Sequence, residues 1–124
     1  MTIRAIKMVL CVRTDLRMGI GKQCTQCAHG AVACVLSIAT GRDRIKSLWL
    51  QEWLEEGSAK IVVRVESEKD LEDLADAAMK ADLPHYTVHD AGRTEVAAGS
   101  ATVVCIGPGP AQTVNTVTGK LKLL

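Results

Sequence analysis

Asp90-Ala91-Gly92-Arg93-Thr94 places a carboxylate, a guanidinium and a hydroxyl in one compact polar loop, just past a short β-branched segment. A second stretch, Met18-Gly19-Ile20-Gly21-Lys22, adds an ammonium at the opening of a helix. Gly19 and Gly21 are expected to let the backbone turn tightly and approach a ligand. The free N–H groups and positive dipole end of the following helix then point into the same cleft, where Lys22 adds a full charge. Such a set suits a site that binds phosphate and activates water. It is not a P-loop, because the Walker spacing is absent. Each stretch also has an ordinary reading. A G-x-G before a helix is often just a turn, and an Asp with an Arg three residues on often closes a turn through an Asx-type bond or a salt bridge.

Other chemistry-bearing residues carry less. Cys24-Thr25-Gln26-Cys27 has the spacing of a redox or zinc pair. No aromatic or proline flanks it as in thioredoxin-like sites, and no second Cys/His pair stands at ligand spacing, His29 being the only near candidate. A helical pair with Cys27 on the buried face is the plainer reading. His29 follows Gln26 closely enough to share its side of the helix. His85 and His89 share one face of a strand, an arrangement that can bind a metal but usually does not.

The elements that must position these residues follow from hydrophobic period. Met8 to Val12 is a continuous apolar run, as in a strand buried on both faces. A loop from Arg13 to Gly21 leads into a helix over about Lys22 to Ala39, with Cys27, Ala31, Cys34, Val35 and Ile38 as its apolar stripe. Thr40-Gly41 ends it. Ile45, Leu48, Trp49 and Trp53 mark a shorter amphipathic helix ending near Gly57. Lys60 to Val65 reads as a strand. Ser67 with Asp70 resembles a capping box, before a helix whose buried face is Leu71, Leu74, Ala75, Ala78 and Met79. Pro84 stops that helix. His85 to His89 and Ala101 to Ile106 are strands. Gly107-Pro108-Gly109-Pro110 reads as a turn, with Pro110 in the first turn of a last helix ended by Gly119.

Helices separate the first three strands, which suits parallel crossovers. The link from the third strand to the fourth is short, so that pair is expected to be antiparallel. The fold class is therefore α/β: a small four-stranded mixed sheet with helices on both faces, in three layers. If the first and third strands run parallel and close, the loops carrying Lys22 and Asp90 meet at their carboxyl ends, where α/β sheets bind ligands.

Length and composition set the class. The 124 residues make one domain, 1–124, large enough for its own core. Hydrophobic residues make up 48%, which excludes a disordered chain. Aromatic residues are few, so the core rests on aliphatic side chains, Met, Ala and Cys. The five cysteines are odd in number and mostly in apolar positions, which fits reduced thiols in a cytoplasmic protein rather than a disulfide scaffold. The apolar run at Met8 is too short to span a bilayer, and no signal peptide is visible. Residues 52–82 hold ten acids and four bases, a balance of −6, and the rest of the chain four acids and eleven bases, a balance of +7. A molecule polarised in this way can turn a basic face to an anionic polymer; a solvated acidic helix is the bland alternative.

Taken together, the motifs resemble those of the second, archaeal and eukaryotic, type of peptidyl-tRNA hydrolase. The likeness runs nearly end to end: Lys7 to Val12 with Arg13 and Asp15-Leu16, Met18-Gly19 to Lys22, Gln26-Cys27 with His29, Trp53 before Gly57, Asp90 to Thr94, Gly99-Ser100, Ile106-Gly107-Pro108, and Val117-Thr118-Gly119 through Leu123. The resemblance implies hydrolysis of the ester joining a peptide to the terminal ribose of tRNA, with no metal or organic cofactor, by a protein that is often a homodimer. It places Lys22, Asp90 and Thr94 as the catalytic set. Arg13, Asp15, Gly19, Gly21, Gln26, His29, Arg93 and Ser100 fall on the substrate-binding side. Arg17, Arg42, Arg44 and Lys46 join Arg13 and Arg93 as candidates for contact with the tRNA backbone. Ile20 stands where the family usually has lysine, Glu95 where it often has glutamine, and Gly30 where alanine is common. Eukaryotic relatives are linked to cell-death regulation through protein partners. A protein-binding module with weak or no hydrolase activity is thus the alternative, and a small-molecule ester or phosphate enzyme a third reading.

Overall fold

The structure, a computed structural model, describes residues 5–92 and 96–124. Eight elements follow one another: β1 (Ile6–Arg13), α1 (Ile20–Ala39), α2 (Arg44–Glu55), β2 (Lys60–Val65), α3 (Glu68–Lys80), β3 (His85–His89), β4 (Ala101–Pro110) and α4 (Ala111–Thr118). The strands form one mixed sheet in the order β2-β1-β4-β3. β1 pairs parallel with β2 and antiparallel with β4, and β4 pairs antiparallel with β3. β1, β2 and β3 therefore run the same way, with β4 reversed between β1 and β3.

The two central strands are the most apolar, because each of their faces meets a helical layer. On one face Met8, Leu10 and Val12 of β1 join Val103 and Cys105 of β4 beneath Cys34 of α1 and Trp53 of α2. On the other, Val9, Cys11, Val104 and Ile106 pack against Leu71 and Ala78 of α3 and Val114 of α4. Alternation along each strand feeds both cores at once, and the result is the expected three-layer α/β arrangement.

Local chemistry sets the element ends. Ser67 accepts the Asp70 N–H at 3.1 Å and starts α3. Asp43 accepts the Lys46 N–H at 3.0 Å and starts α2. Gly30 lets α1 lie close on the sheet: a Cβ there would stand 3.2 Å from Cys105 Cβ and 3.3 Å from Val88 Cγ2. The deepest line of α1 is accordingly Gln26, Gly30, Cys34 and Ile38. Cys27, Ala31 and Val35 flank it, partly buried.

Met79, expected on the buried face of α3, is exposed instead, and three further sequence expectations are corrected. Gly107-Pro108-Gly109-Pro110 is not a turn but the second half of β4, which stays paired as far as Ile6↔Pro110. Its prolines are tolerated because the register shifts between Lys7 and Val9, a bulge at which the ladder needs no donor from Pro108. Pro110 is the residue before α4 rather than part of its first turn. Helix α1 begins at Ile20, so Gly21 lies inside the helix and makes no tight turn.

Candidate active site

Lys22 and Asp90 meet as an ion pair between Lys22 Nζ and Asp90 Oδ1, with the lysine side chain 14% exposed and the carboxylate 1%. Gly19 is the residue before α1, in extended backbone, so Lys22 occupies the first turn with no acidic residue beside it in that turn. The positive end of the helix thus adds to the charge on the ammonium. Asp90 follows the last residue of β3 and points to the α1 side of the sheet. Although β4 separates β1 from β3, α1 crosses over the sheet on that side, and its first two turns close the gap between the two loops.

Asp90 is held from every direction. Its Oδ2 accepts the Gly92 N–H at 2.7 Å, an Asx-type turn. Its backbone N–H donates to Ser100 O at 2.8 Å, and its carbonyl accepts the Gly99 N–H at 2.8 Å. Gly92 has φ +77°, and a Cβ there would lie 2.4 Å from Ala98 Cβ, so only glycine fits. The hydrogen bond from Lys22 holds the Asp90 carboxyl below the ordinary carboxylate range; the Gly92 N–H supports this against the opposing effect of burial. The turn expected as the plain reading of this loop and the charged partner expected from the functional one are thus both present.

Gln26 lies one turn along α1, 3% exposed. Its Nε2 donates to Thr102 Oγ1 at 3.0 Å and approaches Asp90 Oδ1 at 3.4 Å. Thr102 in turn donates to Val88 O at 3.3 Å. Thr102 is the extra residue where the β3–β4 register shifts, since Val88 pairs with Val103 and His89 with Ala101. Sequence reasoning passed over this completely buried hydroxyl. The one available signal was a threonine inside the otherwise apolar run from Ala101 to Ile106.

The other candidates divide by position. His29 lies seven residues beyond Lys22 on α1 and is exposed on the helix that carries the pair. Gly19 lies beside the pair; Gly21 has open space around it. Ser100 contributes its carbonyl to Asp90. Thr94 and Arg93 lie outside the described residues. Arg13 and Asp15 pair with each other, at 3.0 Å and 2.7 Å, and the guanidinium also reaches Ala101 O and Glu68 of α3 rather than the Lys22–Asp90 pair. Arg42, Arg44 and Lys46 stand at the opposite end of α1, a helix of 20 residues, or about 30 Å at 1.5 Å per residue. Lys46 is engaged there by Asp82 and Asp43. Those three basic residues therefore do not share the cleft with Lys22.

Cys24 is exposed and Cys27 half-buried, and neither is in a disulfide. Burial pushes the Cys27 thiol up to about 11 and the Cys11 thiol up to about 12, which suits inert thiols rather than thiolate ligands or redox groups. Among the described residues no group of three His, Cys, Asp or Glu could hold a metal ion, and no helix is long and apolar enough to cross a membrane. A cavity of about 450 Å³ lies elsewhere, at the β2 edge beside Arg64, Asp70, Asp73 and Lys122. Those charged residues are solvated, so the cavity lacks the buried, hydrogen-bonded carboxylate that distinguishes the Lys22–Asp90 cleft.

Residues 6–124 match the family described as Peptidyl-tRNA hydrolase PTH2. A Sulfurisphaera tokodaii protein named peptidyl-tRNA hydrolase is 46% identical, with 97% of this chain and 99% of the relative covered. A Metallosphaera sedula protein of the same name is 47% identical over 96% of this chain and 100% of its own length. A fission yeast protein named probable peptidyl-tRNA hydrolase 2 is 48% identical over 94% of this chain, which spans 55% of that longer protein. A solved structure of a protein of unknown function from Agrobacterium tumefaciens overlays 98% of this chain and 99% of its own at a TM-score of 0.61, with 11% identity, a likeness of fold alone. The chain belongs to the peptidyl-tRNA hydrolase PTH2 family.

Proposed function

We propose that this protein hydrolyses the ester of peptidyl-tRNA, releasing free tRNA and peptide, with Lys22 and Asp90 as the centre of the reaction. The observation that carries this reading is the buried Asp90 carboxylate paired with Lys22 at the first turn of α1. Water attacks the ester carbonyl carbon and a tetrahedral oxyanion forms. The bond to the ribose oxygen then breaks, and that oxygen leaves as a hydroxyl with a proton derived from the water. Asp90 orients the water and accepts its hydrogen bond; its lowered pKa keeps it ionised for this role. Lys22 and the helix end stabilise the oxyanion or the adjacent phosphate. Gln26, itself fixed by Thr102, keeps the carboxylate from rotating. Thr94, from its place in the motif, is assigned to hold the water, and His29 and Arg93 to line the cleft.

A cytoplasmic homodimer belongs to the same proposal. Val32 and Leu36 of α1 and Ile45 and Leu48 of α2 leave large apolar side chains exposed, a composition that suits contact with a second copy. Light scattering in solution tests that part. For the activity itself, the test is release of free tRNA from N-acetylated aminoacyl-tRNA by the purified chain. Release that saturates with substrate and weakens steeply with salt is expected. Hydrolysis of small esters with no response to tRNA would instead support a small-molecule enzyme.

A further inference from the structure

Arg13 is 7% exposed, and its guanidinium reaches toward Ala101 and the start of α3 rather than toward α1. Nε and Nη2 form a two-pronged bond to the Asp15 carboxylate at 3.0 Å and 2.7 Å. Nη1 donates to Ala101 O at 3.0 Å and lies 3.7 Å from Glu68 at the start of α3. Lys22 and Gln26 approach from α1, on the other face of the sheet. The side-on fork of Nε and Nη2 is therefore already taken by Asp15 and Nη1 reaches the Ala101 carbonyl, on the face of the sheet opposite α1.

What Arg13 holds is informative. Ala101 is flanked by two residues that seat Asp90. Ser100 accepts the Asp90 backbone N–H, and Thr102 holds the Gln26 amide that approaches the carboxylate. Pinning the Ala101 carbonyl fixes both neighbours relative to β1. We infer that Arg13, with Asp15 as its anchor, is a positioning residue that sets Asp90 against Lys22, and not a ligand for the tRNA backbone. This inference rests on the hydrolase reading for its kinetic consequence. A planar fork that reaches an acid and a carbonyl at once cannot be reproduced by the single ammonium of lysine. Asp15 is half-exposed, so Asp15→Asn loosens the same clamp without emptying a buried site.

The experiment compares the whole chain with Arg13→Lys and Asp15→Asn on N-acetylated aminoacyl-tRNA over a range of salt. A small displacement of a reacting group costs up to about 10²-fold. The expected result is a kcat lowered by up to about 10²-fold in Arg13→Lys and by less in Asp15→Asn. KM and its dependence on salt stay unchanged in both. A raised KM with a shallower salt dependence and unchanged kcat would overturn the inference and make Arg13 a phosphate ligand. Unchanged kcat and KM in both variants would also overturn it. A second readout needs no turnover and so separates this inference from the hydrolase reading. Among the described residues the charged group facing Asp90 is Lys22 of α1, while Gln26 and the Gly92 N–H are neutral donors. Loosening the seat weakens the Lys22 pair, so the Asp90 carboxyl, followed by carbon-13 NMR, titrates at higher pH in both variants. A titration identical to the parent's overturns the inference even if the parent releases no tRNA. Loss of turnover in the parent alone would remove only the hydrolase reading.

Discussion

Lys22 and Asp90 each set what the other can do. The ammonium favours the charged form of a buried carboxylate, and the carboxylate holds the ammonium at the helix end, where the proposed reaction would develop its oxyanion. Their titration carries a sign that can be checked. The Asp90 carboxyl is lowered from its ordinary value of 3.8, first by the Lys22 hydrogen bond. A lowered folded value stabilises the native state above the unfolded pKa, and that contribution is lost as pH falls through the folded value. The acid limb of activity is therefore expected below pH 3.8, and the Asp90 titration moves up in Lys22→Ala, where burial is no longer opposed by the ammonium. An Asp90 that titrates at the same pH in both proteins would separate it from Lys22. Gly92→Ala tests the loop beside it. Its φ of +77° and the 2.4 Å approach to Ala98 Cβ leave no room. The left-handed backbone alone costs about 1–2 kcal/mol for a side-chain-bearing residue. Activity is expected to fall with Tm, because the same shift withdraws the N–H that Asp90 Oδ2 accepts.

At the scale of elements, what the sequence made legible was hydrophobic period and helix punctuation. β2 and β3 were expected over the residues they occupy, and the Ser67 cap of α3 was recognised because a hydroxyl before Asp70 has one obvious use. β4 was cut short at Ile106, since Gly and Pro in succession normally end a strand and a local reading cannot see the bulge opposite Lys7 that accommodates them. Gly21 was assigned to a turn for a related reason: glycine marks conformational freedom but not whether the chain uses it. In the site, Asp90, Lys22 and Gln26 were legible from motif, whereas Thr102 was not, because its role depends on a register shift between two strands. Trp53 offers an element-scale test. It is 3% exposed, and its Nε1 donates to Ala59 O at 2.9 Å, so it fastens α2 to the segment entering β2. Trp53→Ala is expected to cost about 3–5 kcal/mol in urea unfolding, with kcat at low temperature largely kept, since among the described residues the side-chain bonds to Asp90 come from Lys22, Gln26 and Gly92 and not from α2.

Over the whole molecule, the largest group of acids stands on one helix. The acid-rich stretch 52–82 builds the end of α2, β2 and α3. α3 covers the sheet on the side away from α1 and Lys22. A polyanion is thus repelled from the face covered by α3, which carries Glu68, Asp70, Glu72, Asp73 and Asp76, and this favours docking on the opposite one. Arg17 is exposed in the loop that leads into α1 and Lys22, whereas Arg42 and Arg44 stand at the far end of the same helix. Arg17→Ala is expected to raise KM and to make its salt dependence shallower by about one phosphate contact, leaving kcat unchanged. An equal effect from Arg44→Ala would mean that the bound tRNA extends the length of α1.

The most direct test of the central claim is single-turnover release of tRNA from N-acetylated aminoacyl-tRNA by the parent, Lys22→Ala, Asp90→Asn and the double variant, each checked for folding by circular dichroism. Removing one charge-stabilising donor typically costs about 10²–10³ in rate. Groups that act as one unit lose no more together than apart. The expected result is a loss of that size in each single variant and almost no further loss in the double. Full activity in either folded single variant, or losses that multiply in the double, would contradict the account of Lys22 and Asp90 as one hydrolytic centre.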